Sequence, residues 1–107
     1  MGHEYVQVVT TAGSEEEARS IAAALVERRL AACVQITGPL DSVYRWQGSI
    51  ESAREWRCEI KTAASCWDAV AAAIRAAHSY DEPEIVALPI RTGSPGYLRW
   101  IDESVGA

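Results

Sequence analysis

The sequence predicts an α+β fold of the ferredoxin-like type, in the order β-α-β-β-α-β with one extra C-terminal helix. Two observations lead to this prediction. Two stretches with strand-helix-strand patterning follow one another, and a long ribbon of alternating side chains joins them. Two such halves linked by a hairpin form an antiparallel sheet with both helices on one face. A length of 107 residues is typical of one domain, which we take as residues 1–107.

The first strand and the first helix have clear local signals. Tyr5–Thr11 is rich in β-branched residues, which favours a strand in the middle of the sheet. Ser14 followed by Glu17 forms a capping-box pattern that predicts a helix start. Arg28 and Arg29 are expected in the last turn, at the negative end of the helix dipole. The expected inward-facing stripe is Ala18, Ile21, Ala22, Leu25 and Val26.

A long β-hairpin is predicted around Gln47-Gly48-Ser49, because glycine supplies the positive φ of a tight turn. The first arm, counted from Ala32, has about 16 residues, whereas a usual strand has roughly 5–6. The segment Gly38–Pro39 interrupts it, which indicates a bulge or an edge position. A ribbon of this length cannot bury its aromatic side chains within one small domain, so we expect it to contact copies of the same chain.

The second half of the chain adds a helix, a strand and a tail helix. Ser65 is the expected cap of the second helix. Residues 84–90 form a strand that contains Pro89, so we expect this strand at a sheet edge. Ser94 and Pro95 are typical of a helix start and predict the C-terminal helix. The expected apolar stripe of the second helix is Trp67, Val70, Ala71, Ile74 and Ala77 or His78.

Composition and charge exclude several classes of partner. The net charge of −5 and the pI of about 4.9 argue against nucleic acid and against anionic membrane surfaces. No apolar run approaches the ~18 residues of a membrane span, and the first residues lack the pattern of a secretory signal. These features predict a cytoplasmic protein. The cysteines Cys33, Cys58 and Cys66 lack metal-type spacing and are expected to be small buried apolar residues.

Six sequence motifs are specific enough to compare with known families. They are Val9-Thr10-Thr11-Ala12, Leu30-Ala31-Ala32-Cys33-Val34, Ser42-Val43-Tyr44-Arg45-Trp46-Gln47-Gly48, Glu55-x5-Lys61-Thr62, His78-Ser79-Tyr80-Asp81-Glu82-Pro83-Glu84-Ile85, and Gly93-x3-Tyr97-Leu98-x-Trp100-Ile101. In type and order they resemble those of the CutA family of divalent-cation tolerance proteins. The resemblance implies a ferredoxin-like subunit in a tight homotrimer, joined by hairpins and edge strands. It also implies a link to tolerance of copper and other divalent ions, with copper(II) binding.

The resemblance implies that His78 and Glu84 are the metal ligands, since the family's proposed site uses a histidine of this loop and the glutamate after its proline. Imidazole and carboxylate suit copper(II). Some members add a cysteine in the first strand, where this chain has Thr10 and Thr11, which leaves two protein ligands. The alternative is that the helix dipole favours His78 at a helix C-terminus and that Glu84 pairs with an arginine.

A ligand cleft between subunits is a second predicted site. Lys61 is the only lysine; it can hold a carboxylate or a phosphate, or form an ion pair with Glu59 across subunits. The aromatic residues can line a pocket, but they are equally typical of an obligate interface. The residues assigned to this cleft are Trp46, Glu59, Lys61, Tyr80 and Trp100.

The sequence shows neither a nucleophile–base pattern nor a phosphate-binding glycine loop. The leading interpretation is therefore a non-catalytic trimer that binds a metal ion or a small ligand near its intersubunit clefts. One alternative is a trimer like the PII signalling proteins, which bind nucleotides or metabolites between subunits; fold alone does not transfer that function. The others are an enzyme with an intersubunit active site and a structural trimer that anchors another protein. If the Trp46 ring is fully buried, Trp46→Ala should cost ~3–5 kcal/mol.

Overall fold

The computed structural model describes residues 4–106, and the predicted order of strands and helices is confirmed. The strands form one antiparallel sheet in the order β2-β3-β1-β4, with β1 inside and β4 at an edge, as expected. None of the helices within residues 4–106 is long and apolar enough to cross a membrane. The elements are β1 (Tyr5–Ala12), α1 (Glu15–Glu27), β2 (Cys33–Trp46), β3 (Ser49–Ala63), a 3-10 turn (Ala64–Cys66), α2 (Trp67–Ala77), β4 (Val86–Ile90) and α3 (Pro95–Ser104).

The hydrophobic core lies between the sheet and the pair α1 and α2. Fully burying one large aliphatic side chain contributes about 1.5–3 kcal/mol, so this cluster is the main source of stability. Val26 was expected in the core, but it is 45% exposed. The reason is helical geometry, because Val26 is rotated by about 100° from its buried neighbour Leu25. The buried cluster is Val8, Ala12, Ala18, Ile21, Leu25, Ala31, Cys58, Ile60, Val70, Ala73 and Ile74.

The start of α1 confirms the predicted cap but not the full capping box. The Ser14 hydroxyl accepts a hydrogen bond from the Glu17 backbone N–H at 3.1 Å. The Glu17 carboxylate does not return to the cap. It accepts hydrogen bonds of 2.8 Å from both the backbone N–H and the hydroxyl of Ser79. Glu17 therefore fastens the loop after α2 to the start of α1.

The end of α1 differs from the prediction, because Arg28 and Arg29 lie outside the last turn. Arg28 is the C-cap residue, and Arg29 has a left-handed φ of 58°. The Arg29 guanidinium donates hydrogen bonds to the carbonyls of Glu103 and Ser104 at the end of α3. Arg29 therefore interacts with α3 and not, as the sequence predicted, with the dipole of its own helix.

The start of α2 also corrects the sequence analysis, because Ser65 does not cap the helix. It lies inside the 3-10 turn Ala64–Cys66, and Cys66 occupies the cap position without a side-chain hydrogen bond. The backbone N–H of Trp67 bonds to the Ala64 carbonyl instead. The strand β3 continues directly into this turn, so a tight turn of backbone takes the place of a side-chain cap.

The ribbon of β2 and β3 is confirmed, including its turn and its bulge. Gln47 and Gly48 have φ values of 51° and 84°, as a two-residue hairpin turn requires. The pairing register shifts between Thr37 and Leu40, at the predicted interruption. A Cβ atom on Gly38 would lie 2.4 Å from Cδ1 of Trp56, so the bulge requires glycine there. The ribbon gives the molecule its long axis, with extents of 47 × 25 × 22 Å.

The face of the sheet opposite α1 and α2, here called the second face, is partly covered. The helix α3 lies there, because the Tyr5 hydroxyl, on the side of β1 opposite the core residue Val8, donates a 2.6 Å hydrogen bond to Asp102. Ile101 and Val105 of this segment are buried. Several large apolar side chains of β4 and α3 remain 41–50% exposed: Val86, Leu88, Tyr97 and Trp100.

The three cysteines are free thiols, and one of them fits the expectation of a buried residue fully. Cys58 has no exposed surface and lies within the core. Burial raises the pKa of its thiol to about 11, so Cys58 is protonated and unreactive at neutral pH. Cys33 and Cys66 are only half-buried.

Candidate functional site

A cleft of about 510 Å³ opens between the ribbon and the loop that follows α2. Small-molecule sites usually have volumes of roughly 300–1,000 Å³, so the cleft has a suitable size. The described residues that line it include four with carboxylates and three with aromatic rings, but neither lysine nor arginine. The lining residues are Thr11, Ser42, Val43, Tyr44, Trp46, Glu55, Tyr80, Asp81, Glu82 and Glu84.

Glu55 is the buried carboxylate of this cleft, with 7% of its surface exposed. One of its oxygens accepts a hydrogen bond from the Ser42 hydroxyl at 2.6 Å, and the other accepts one from the Tyr80 hydroxyl at 2.8 Å. Ser42 lies on β2, Glu55 on β3 and Tyr80 on the loop after α2. The three side chains therefore connect the ribbon to the loop.

The environment of Tyr80 changes its acidity. Burial, the hydrogen bond to Glu55 and the negative charge of that carboxylate together raise the pKa of Tyr80 from its ordinary value of 10.0 to about 12, and burial is the largest of these causes. The carboxylate contributes because it would repel the phenolate. Tyr80 is thus a hydrogen-bond donor at neutral pH and not a proton acceptor.

We expect the free energy of unfolding to depend on pH because the pKa of Tyr80 is raised in the folded protein. Below pH 10 the Tyr80 side chain is protonated in both folded and unfolded chains, so its contribution is constant. Between pH 10 and about 12 the unfolded chain loses the proton first, and the free energy of unfolding falls.

In Glu55→Gln the pKa of Tyr80 should decrease but stay above its ordinary value, since burial is the larger cause. NMR titration of ¹³Cζ-labelled tyrosine measures this pKa.

The matched control for this titration is Glu59→Gln. It removes a carboxylate from the same strand and the same side of β3, but Glu59 does not line the cleft. The pKa of Tyr80 should not change in this variant. An equal decrease of that pKa in both variants would contradict a specific contact with Glu55.

His78 directly follows α2, at the position predicted, but its side chain is fully buried. The ring nitrogen Nε2 lies 2.7 Å from the carbonyl oxygen of Thr11, and Nδ1 accepts a hydrogen bond from the Tyr80 backbone N–H at 3.1 Å. Donation to the carbonyl places the proton on Nε2. The Nδ1 atom also lies 3.4 Å from a Glu17 carboxylate oxygen. In this conformation neither ring nitrogen has a lone pair free for a metal ion.

The structure brings together three of the residues predicted to bind a metal ion or a ligand, and it separates the others. Trp46, Tyr80 and Glu84 line the cleft. Lys61 is six residues from Glu55 along β3, which corresponds to about 20 Å. Its ammonium donates a 2.9 Å hydrogen bond to the Gln35 side chain.

Glu59 and Trp100 also lie away from the cleft. The Glu59 carboxylate is 3.6 Å from the Arg57 guanidinium, and within residues 4–106 it forms no ion pair with Lys61. Trp100 lies on α3, where its ring centroid is 5.4 Å from that of Tyr97. Of the five residues predicted for the cleft, only Trp46 and Tyr80 meet within one chain. Glu59 and Lys61 lie on the second face, and Trp100 lies on α3.

The sequence analysis did not identify Glu55 as the centre of the site. A signal was available in the hairpin register, because pairing of Trp46 with Ser49 places Ser42 opposite Ala53, diagonal to Glu55. No pattern in the sequence indicated the contact between Glu55 and Tyr80. It depends on how the loop after α2 packs against the ribbon.

The carboxylates and the histidine of this region do not form a complete metal site within one chain. Across residues 4–106, no group of three or more His, Cys, Asp or Glu side chains is arranged to hold a metal ion. Glu84 lines the cleft and is exposed, whereas both ring nitrogens of His78 are engaged in hydrogen bonds. Any metal ion bound here therefore needs further ligands or a different orientation of His78.

Comparison with known proteins identifies the family. The family model described as CutA1 divalent ion tolerance protein matches residues 6–104. The chain belongs to the CutA1 family. A relative from Thermus thermophilus, a divalent-cation tolerance protein CutA, is 48% identical over 99 residues, which are 92% of this chain and 96% of the relative. A protein of the same description from Archaeoglobus fulgidus is 43% identical over 103 residues, or 96% and 98% of the two chains.

Solved structures of CutA1 proteins share this fold. The divalent cation tolerance protein (Cut A1) from Thermus thermophilus matches with a TM-score of 0.93 and 46% identity, over 95% of this chain and 99% of the other. The periplasmic divalent cation tolerance protein CutA from Archaeoglobus fulgidus matches with a TM-score of 0.90 and 42% identity, over 96% and 98%. Some CutA relatives are longer, since the match to the mouse protein, at 41% identity, covers 87% of this chain but 52% of that relative.

Proposed function

We propose that this CutA1-family chain acts in divalent-cation tolerance as a homotrimeric, non-catalytic, cytoplasmic protein that binds a divalent cation at the mouth of the cleft. The observation that carries this proposal is the concentration of four carboxylate residues, without lysine or arginine, around one cleft of about 510 Å³. Such a lining attracts cations and repels anions. The names of the relatives, divalent-cation tolerance proteins, support the same class of ligand.

The ligands of the cation would come from the loop after α2. Glu84 lines the cleft, and Asp81 and Glu82 of the same loop line it too. His78 joins this set only if its ring turns away from the Thr11 carbonyl, which gives up a hydrogen bond worth about 0.5–1.5 kcal/mol. Because residues 4–106 of one chain offer too few arranged donors, we propose that a neighbouring subunit of the homotrimer completes the site.

Exposed apolar surface supports the homotrimer. The β4 strand is at an edge of the sheet, and its residues Val86 and Leu88 are 46% and 50% exposed. At the end of the ribbon, Val43 and Ile50 are 72% and 70% exposed. Edge strands and apolar surfaces of this kind are typical of subunit interfaces.

The alternatives from the sequence analysis receive less support from the cleft. A nucleotide, as in a PII-like signalling trimer, would bring phosphates next to four carboxylates, which is electrostatically unfavourable. In the enzyme hypothesis, turnover would be lost when Lys61 or Glu59 is changed, and both residues lie outside the cleft. We therefore favour cation binding as the function of this site.

Isothermal titration with copper(II) tests the metal site. Wild-type protein should bind, and Glu84→Gln should weaken binding at least about tenfold, or about 1.4 kcal/mol, because it removes an anionic ligand. Glu59→Gln, a carboxylate outside the cleft, is the matched control and should bind like the wild type. Equal heats for wild type and His78→Ala would exclude His78 as a ligand. If copper(II) and other divalent ions give no heat of binding with the wild type, the proposal fails.

A further inference from the structure

Glu55 is almost fully buried, and the part of the chain that the structure describes supplies no counter-charge to it. It is 7% exposed, and no ion pair joins it to a lysine, arginine or histidine anywhere in residues 4–106. Both hydrogen bonds to Glu55 come from neutral hydroxyl groups, those of Ser42 and Tyr80. Removing a carboxylate from water without a counter-charge is costly, so a cation that reaches this site would be bound favourably.

The cleft that contains Glu55 also has aromatic side chains in its walls. Tyr44 and Trp46 line the same cleft, and each keeps 44–49% of its surface exposed. The ring of Tyr80 is also part of the lining. Aromatic faces attract organic cations through their quadrupole, and the guanidinium group both stacks on rings and pairs with carboxylates.

We propose that the cleft binds a small organic cation with a guanidinium group, which is held by Glu55 while the apolar part of the cation lies along Tyr44 toward Trp46. An ionised carboxylate has about four lone-pair sites, and two hydroxyl donors leave room for further N–H donors. The guanidinium group supplies such donors in a planar arrangement. This site differs from the proposed metal site, which uses Glu84 and the exposed acids of the loop after α2.

An organic cation fits this end of the cleft better than a metal ion does. A divalent ion needs several oxygen or nitrogen ligands at short distance, and across residues 4–106 no group of three or more His, Cys, Asp or Glu side chains is arranged to supply them. Aromatic walls supply no such ligands. They do supply contact area for an organic group, and a volume of about 510 Å³ accommodates one.

Calorimetric titration of the full chain with butylguanidinium and with butylurea, its uncharged isostere, tests this inference. The titrations contain EDTA, so that the result does not depend on metal binding. We expect butylguanidinium to bind at least about tenfold more tightly than butylurea. In ¹H–¹⁵N spectra, butylguanidinium should shift the indole N–H of Trp46 and leave that of Trp100, on α3, unchanged.

Two variants test whether the carboxylate of Glu55 is the group that binds the guanidinium cation. Glu55→Gln keeps the shape of the side chain and should abolish the preference for butylguanidinium, whereas Glu59→Gln should retain it. The inference is wrong if wild-type protein binds both compounds equally or neither of them, or if Glu59→Gln loses the preference as Glu55→Gln does. The wild-type comparison decides the question even if Glu55→Gln does not fold.

Discussion

Replacing Leu88 with glutamate is expected to separate the proposed homotrimer into single chains. Leu88 is 50% exposed on the edge strand β4, on the second face of the sheet. In the proposed homotrimer this side chain is covered by another copy, and a carboxylate in its place would be buried without a partner. We expect a penalty of about 3 kcal/mol or more, which is at least a hundredfold in the dissociation constant. Sedimentation velocity measures the change.

The matched control for Leu88→Glu is Val26→Glu. Val26 is also apolar and 45% exposed, but it lies on α1, on the other side of the sheet. This variant should sediment like the wild type, at three times the chain mass of 11.6 kDa. A wild type that sediments as single chains would refute the homotrimer. A Leu88→Glu protein that remains fully assembled would show that β4 is not at the interface.

Leu25→Ala is expected to lower the free energy of unfolding by about 2–5 kcal/mol. Leu25 is 1% exposed and belongs to the core between α1 and the sheet, so its removal leaves a cavity. Denaturation in urea, at one fixed protein concentration because assembly adds to stability, measures the loss.

The adjacent residue provides the control for this measurement. Val26→Ala removes an apolar side chain from the same helix, but its site is 45% exposed, so the change should stay within about 0.5 kcal/mol. Comparable losses for the two variants would contradict the orientation of α1 seen here. They would instead support the inward stripe that the sequence pattern predicted, in which both residues face the core.

The ribbon shows how much of the fold the sequence predicts. Its turn at Gln47 and Gly48 and its bulge at Gly38 depend on residues that are adjacent in the chain, and both predictions are confirmed. Trp46 is 49% exposed within one chain, as expected of a ribbon that cannot bury its aromatic side chains within one small domain. A cost of ~3–5 kcal/mol for Trp46→Ala therefore applies only if assembly covers the ring.

The candidate site was predicted less completely than the fold. Motifs in the sequence indicated Trp46, Tyr80 and Glu84, and these residues do line one cleft. The resemblance to the CutA family implied that His78 offers its imidazole to a metal ion, but both ring nitrogens are engaged in hydrogen bonds in this structure. The sequence analysis also assigned Lys61 to the cleft, but Lys61 does not line it and is about 20 Å from Glu55 along β3. Sequence patterns report the type and the face of a residue, but not the direction of a ring or the neighbours that it meets.

The sequence by itself determined the order of strands and helices, the central position of β1, the edge position of β4 and the hairpin turn. Each of these follows from interactions over a few residues, such as a Ser14 cap, a glycine turn or a proline in a strand. Only the tertiary structure decided that Ser42, Glu55 and Tyr80 meet in one cleft, that the His78 ring is buried against Thr11, and that α3 covers part of the second face. These contacts join residues 13 to 97 positions apart, and their positions depend on how whole elements pack.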